Sequence, residues 1–320
     1  MEKDFIWLLQ SDPWVEYHTR LHMLQQSEQD NDVITARERM VQSAAVQNLV
    51  AEVSNWPGTA LVSHKSAGHS IHKLTFLADL GLKADDTGME RVINEVMSHQ
   101  DPEGPYQTMT NFPVRFGGSG KDDWGWVLCD APLLLYALIR FGLKDEPGVK
   151  KGVEKLTSLV RENGWPCAAC SKFSGFRGPG RKEDPCPYAN LIMLKVLGAI
   201  PELNDCEASR LGAESILTCW AKRETYHPYI FYMGTDFSKL KAPLVWYDIL
   251  NVTSVLTQFE WLRSDERLND MIKIIASKAD DEGRFTAESV WLAWKEWEFG
   301  QKKKPSAWIT YLAHRVMSYA

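Results

Sequence analysis

The chain has 320 residues, of which 44% are hydrophobic, so it is long enough to bury a large core. Its net charge of −6 argues against a nucleic-acid binder, which works through a basic surface. No apolar run reaches the roughly 18 residues of a membrane span, and Met1-Glu2-Lys3-Asp4 does not open a secretory signal. With six cysteines in this setting, reduced thiols and a cytoplasmic location are expected rather than a disulfide framework.

In chain order, residues 14–26, which follow the cap-like Ser11-Asp12-Pro13, and residues 33–54 read as a first, irregular helix pair (about 1–58). A repeat follows over about 59–299. His69, Asp130, Cys186 and Asp248 each stand eight residues before a leucine (Leu77, Leu138, Leu194, Leu256) and eleven before a large apolar residue (Leu80, Phe141, Leu197, Phe259). Offsets of eight and eleven share one face of an α-helix. Gly81, Gly142 and Gly198 come next, as C-caps would, while Glu260 breaks the pattern. These are the inner helices.

Each inner helix is followed by a short acidic cap, an amphipathic outer helix and, in three units, a glycine turn. The outer helices run to His99, to Val160, from Cys206 to Lys222, and to Lys278; the turns are Asp101-Pro102-Glu103-Gly104, Glu162-Asn163-Gly164-Trp165 and Asp281-Glu282-Gly283-Arg284-Phe285. Residues 285–299 and 306–319 supply the last outer and inner helices, the closing helix occupying about 306–320. Few stretches look like strands. The pattern therefore predicts an all-α, single domain over 1–320 with about six inner/outer helix pairs, closed into a ring. Thirteen tryptophans suit a cavity for an apolar or cationic guest as well as a core.

Inner and outer helices joined by glycine-aromatic turns resemble the α/α toroid of squalene cyclases, terpenoid cyclases and protein prenyltransferase β subunits, and the three turns are similar to degenerate QW repeats. The stretch from Gly175 to Tyr188, with Asp184-Pro185-Cys186-Pro187-Tyr188, resembles the glycine-rich loop and D-x-C-Y element of prenyltransferase β subunits. That resemblance implies zinc held by Asp184 and Cys186, with Asp248 of Tyr247-Asp248 where the family has a histidine. It also implies an isoprenoid diphosphate bound by Arg177, Arg181 and Lys182. Class II cyclases instead carry D-x-D-D at an inner-helix start. Here Val127-Leu128-Cys129-Asp130 keeps the last Asp and has Cys129 in place of the acid, and a thiol is too weak to protonate an isolated alkene.

The function expected is thus that of a prenyltransferase-like or terpenoid-cyclase-like enzyme acting on an isoprenoid or other hydrophobic small molecule. Asp248, Asp130 and His69 are the catalytic candidates. Arg177, Arg181, Lys182, Lys241, Trp126, Trp246, Tyr247 and Tyr188 are candidates for substrate binding, and Asp184, Cys186 and Asp248 for zinc. Two alternatives stay open: a non-catalytic toroid binding a lipid or protein partner, its polar residues only capping helices, and a degenerate class II cyclase using Asp130 or Asp248 as acid. Cys167-Ala168-Ala169-Cys170, with Cys186 and Cys129, also suggests a four-cysteine structural zinc site.

Overall fold

The computed structural model describes residues 2–176, 178 and 180–319. The protein is mostly α-helical: thirteen α-helices and one small antiparallel hairpin occur among the described residues. None of these helices is long and apolar enough to cross a membrane. The contacts divide the chain into two compact units, one of Met1–Leu49 with Thr235–Ala320 and one of Val50–Gly234.

The first unit contains α1 (Glu2–Leu9), α2 (Pro13–His22), α3 (Asn31–Gln42) and the beginning of α4 (Ala44–Val53). The expected helix over 33–54 is broken at Ser43, whose extended backbone ends α3 and whose hydroxyl accepts from Val46 N–H at the start of α4. Farther along the chain, α5 (Ser70–Leu80), α6 (Met89–Ser98), β1 (Thr108–Thr110), β2 (Asp123–Gly125), α7 (Ala131–Leu138), α8 (Pro147–Thr157), α9 (Pro187–Gly198) and α10 (Glu207–Ala221) belong to the second unit. The chain returns to the first unit with α11 (Ile249–Leu256), α12 (Glu266–Ala276) and α13 (Ala307–Met317).

Burial separates inner from outer helices. Every residue of α7, and residues 187–197 of α9, are buried. Of the outer helices, α10 buries a wide face, and three bury one stripe each, at one common spacing: Met89, Val92, Ile93 and Val96 in α6; Val149, Gly152, Val153 and Leu156 in α8; Leu268, Met271, Ile272 and Ile275 in α12. This is the i, i+3, i+4, i+7 pattern of a helix laid against a core. All eight apolar residues of the repeat register are essentially inaccessible. Gly81 and Gly142 take the left-handed conformation that closes their helices, whereas Gly198 is helical and Ala199 follows as the cap.

Two further elements depart from expectation. Residues 285–299 form no α-helix; only the 3-10 turn Leu292–Trp294 occurs there. Trp291, Trp294 and Trp297 recur every third residue, the period of a 3-10 helix, and Trp294, Trp297 and Phe299 pack ring against ring. Glu298 turns back to cap α13, accepting from the Ser306 hydroxyl at 2.9 Å and Trp308 N–H at 2.8 Å. The second departure is α1, which the sequence pattern did not indicate.

The glycine turns lock to the inner helix that follows. Cys186 N–H donates to Trp165 O at 2.8 Å, and the Asn190 side chain accepts from Trp165 N–H and donates to Trp165 O and Cys186 O. In the first unit Ser306 N–H donates to Phe285 O at 2.8 Å, and Thr310, four residues on, accepts from Phe285 N–H at 2.9 Å. Ser306 therefore holds in α13 the place that Cys186 holds in α9. Trp165 and Phe285 are wholly buried, so these backbone groups have no water to fall back on. Asn190→Ala removes three buried hydrogen bonds and should lower the unfolding free energy by about 3 kcal/mol in urea titration, against less than about 0.5 kcal/mol for the exposed Asn163→Ala.

Candidate functional site

The inner helices of the second unit run side by side in one direction. Ala84 N–H donates to Phe141 O at 3.0 Å, joining the ends of α5 and α7, and the sulfurs of Cys129 and Cys186 meet at 3.9 Å at the starts of α7 and α9. A polar junction fastens all three: Lys195 Nζ lies 2.9 Å from Asp79 Oδ2, Tyr136 OH donates to Asp79 Oδ1 at 2.7 Å, and the ammonium sits 4.4 Å from the Tyr136 ring centre. His69, Asp130 and Cys186 thus gather at one end of the set, each in the position preceding its helix. Asp248 occupies the same position before α11, in the first unit.

The four residues use that position differently. His69 accepts from Ile71 N–H through Nδ1 at 3.2 Å and faces Thr59 O through Nε2 at 2.9 Å, which assigns the ring proton to Nε2. Asp248 Oδ1 accepts from Asn251 N–H at 3.0 Å, an N-cap. Asp130 Oδ1 accepts from Val127 N–H at 3.1 Å. In both aspartates Oδ2 is buried without a partner, and both residues are completely inaccessible. Burial pushes Asp130 up to about 7, with the backbone donors at Val127 and Ala131 opposing the rise. Burial likewise pushes Asp248 up to about 7, against the pull of the nearby Lys241 ammonium.

Around Asp130 stand Cys129, Cys186 and Tyr188, whose phenol burial raises well above its ordinary value. The His64 ring lies 6.1 Å from Tyr188, and burial, then the charge of His69, pushes His64 down to about 4. His72, also buried and facing His64 O at 2.9 Å, is pushed down to about 3 for the same reasons. Neutral imidazoles, one neutral carboxylic acid and thiols therefore share this end of the unit.

A two-residue ladder explains the thiols. Leu128 N–H donates to Ala168 O and Cys170 N–H to Trp126 O, which sets Cys167 beside Cys129. The Cys129 thiol is raised well above its usual value by its hydrogen bonds with Cys167 and Cys186 and by burial. Cys167 is lowered by the hydrogen bond from Cys129, with Gly178 N–H a second donor. Cys219 is pushed up to about 12 by burial and by the charges of Asp184 and Cys186. Cys170 packs its sulfur against Gly125.

Of the other expected residues, Trp126 and Tyr188 are buried in the second unit, where Asp184 is half-buried and Arg181 and Lys182 are exposed. Lys241, Trp246 and Tyr247 lie in the first unit; Lys241 is buried with its ammonium 5.1 Å from the Trp291 ring centre. Arg177 lies outside the described residues. Among the described residues no three His, Cys, Asp or Glu side chains are grouped as ligands of a metal ion. The arrangement thus lends no support to zinc at Asp184, Cys186 and Asp248, or to the four-cysteine site. His64, His72, Asp79, Tyr136, Lys195 and Ser306 are not among the residues that the sequence patterns single out as functional. The signal for Lys195 was a lone cation inside the apolar run Leu191-Ile192-Met193-Leu194-Lys195-Val196-Leu197.

No family model matches the chain, and no curated protein does. A solved structure, a protein from Actinoplanes, is 14% identical with a TM-score of 0.41, over 97% of this chain and 89% of that chain. At that similarity it carries no argument about fold or function.

The raised aspartates set a pH dependence of stability. Each holds its proton in the folded chain up to about pH 7 but releases it near 3.8 when unfolded. Between those values the folded state binds more protons, so stability falls as pH rises from about 4 to 7 and levels off above. Asp130→Asn, which keeps the acceptor for Val127, should flatten that slope, as should Asp248→Asn; urea unfolding at several pH values across the window reads it.

Proposed function

We propose that the chain is a member of the α/α toroid superfamily of squalene cyclases, terpenoid cyclases and protein prenyltransferase β subunits, its helix pairs closing one ring. We infer further that it acts on an isoprenoid substrate by acid catalysis. The observation that carries this reading is Asp130: a wholly buried carboxyl, neutral up to about pH 7, with one oxygen fixed by Val127 N–H and the other unengaged.

Such a group can donate a proton from Oδ2 to a substrate oxygen, either the leaving oxygen of an allylic diphosphate or an epoxide oxygen. Burial keeps the acid protonated before the reaction. The start of α7, where helix N–H groups point outward, then favours the carboxylate left behind. Trp126 and Tyr188 supply aromatic faces that stabilise developing positive charge. Arg181 and Lys182, exposed on the loop before α9, carry the charge that a diphosphate requires. Asp248, buried and raised in the same way, is the second candidate acid. No step is assigned to a metal.

One set of observations favours a second reading, a non-catalytic toroid. His69, Asp248 and Ser306 already accept hydrogen bonds from helix N–H groups, so capping alone accounts for them. Turnover separates the two. The full chain, incubated with geranyl, farnesyl or geranylgeranyl diphosphate and with an epoxidised isoprenoid, should release a new product by gas chromatography and mass spectrometry. Asp130→Asn should cut that rate by about 100-fold or more while the fold persists. Absence of product from every substrate, with Asp130→Asn changing stability alone, would establish the capping role instead.

A further inference from the structure

The thiols beside Asp130 are not needed for acid catalysis, and their arrangement has chemistry of its own. Cys129 stands in the middle: its sulfur is 3.9 Å from that of Cys186, and the antiparallel pairing of Val127 with Ala169 places it across from Cys167. Cys129 and Cys186 are buried, while Cys167 is partly exposed on the segment paired with 126–128. Hydrogen bonding from Cys129, and to a smaller extent from Gly178 N–H, lowers the Cys167 thiol against the effect of burial. Donors aimed at a sulfur stabilise its thiolate, the form that attacks electrophiles. One accessible thiol backed by two buried ones in contact is the layout of a nucleophile with resolving partners.

We propose that Cys167, Cys129 and Cys186 form a relay that is oxidised by a small peroxide and stores the oxidation as a disulfide between α7 and α9. The Cys167 thiolate attacks one peroxide oxygen; the O–O bond breaks, a sulfenic acid forms on Cys167, and hydroxide leaves. The Cys129 sulfur then attacks the Cys167 sulfur. An S–S bond forms, the S–O bond breaks, and the departing hydroxide takes the Cys129 proton to leave as water; the hydroxide of the first step takes the proton that Cys167 gave up in forming its thiolate. In sum two thiols lose two electrons and one peroxide becomes two waters. Cys186 next attacks the Cys129 sulfur, forming the Cys129–Cys186 bridge and returning Cys167 to the thiol form with no further change in electrons. Closing that bridge brings the sulfurs from 3.9 Å to about 2.05 Å. The relay is independent of the isoprenoid reading.

The test uses the full-length protein, reduced, freed of reductant and treated with hydrogen peroxide. Peptides are mapped by mass spectrometry without reduction, and sulfenic acid is trapped with dimedone. The wild-type chain should lose two free thiols and yield peptides bridged through Cys129 to Cys167 or Cys186. Cys186→Ser should stop the bridge at Cys129–Cys167, and Cys129→Ser should leave a trapped sulfenic acid on Cys167. Before oxidation, Cys167 should alkylate about tenfold faster than the partly exposed Cys206. Bridges through Cys170, first oxidation at Cys206 or Cys219, or no bridge once the peroxide is consumed would each overturn the relay. Because the wild-type chain alone reports the bridge, a variant that fails to fold does not rescue the proposal.

Discussion

An inner helix that is buried on every side leaves the first N–H groups of its backbone with no water to bond. In this chain that constraint falls on α5, α7, α9, α11 and α13; the side chains of His69, Asp248 and Ser306 accept from N–H groups of α5, α11 and α13, whereas Asp130 and Cys186 precede α7 and α9 without a side-chain cap bond. Ser306 and His69 do so without charge. Asp248 does so at the expense of holding a carboxyl where its ionised form is disfavoured; Asp130, which accepts from Val127 N–H instead, is buried alike, and burial raises both to about 7. The chemistry at this end of the helices is thus a consequence of how the core is closed, and a neutral acid is its most reactive product.

The opposite problem is solved farther along the same helices. Asp79 and Lys195 lie where α5 and α9 pack against α7, and neither charge could stay there unpaired. The Tyr136 hydroxyl takes the second carboxylate oxygen while its ring faces the ammonium, so one cluster satisfies both charges and fixes three helices in register. The locks between Trp165 and Asn190, and between Phe285 and Thr310, add a second kind of register control, from turn to helix. These polar contacts act where hydrophobic packing alone would allow the helices to slide.

Much of this was legible in the sequence. The eight- and eleven-residue offsets after His69, Asp130, Cys186 and Asp248 located the starts of four inner helices to within a residue, because burial selects one face and the cap selects the start, while α7 and α11 end three residues before Phe141 and Phe259. The outer stripes were equally plain. Residues 285–299 were misread because tryptophans three apart fit the apolar face of an α-helix and the tighter 3-10 turn alike; the choice was made by Glu298 reaching α13. Lys195, Asp79 and Tyr136 escaped notice because each makes sense only beside partners more than fifty residues away. Ser306 escaped because the leucine that marks the other inner helices is His314 in α13, although Met317 keeps the apolar residue at offset eleven. The grouping of thiols depended on the pairing of 126–128 with 168–170, which no local pattern announces.

The account turns on the protonation state of the buried aspartates, and a titration of their carboxyl carbons measures it directly. With aspartate labelled by carbon-13 and the two resonances assigned through Asp130→Asn and Asp248→Asn, nuclear magnetic resonance should show two carboxyls changing state near pH 7 while exposed aspartates titrate near 4. If every aspartate in the folded chain is ionised by pH 5, the inner helices begin on carboxylates, and the acid proposed here does not exist.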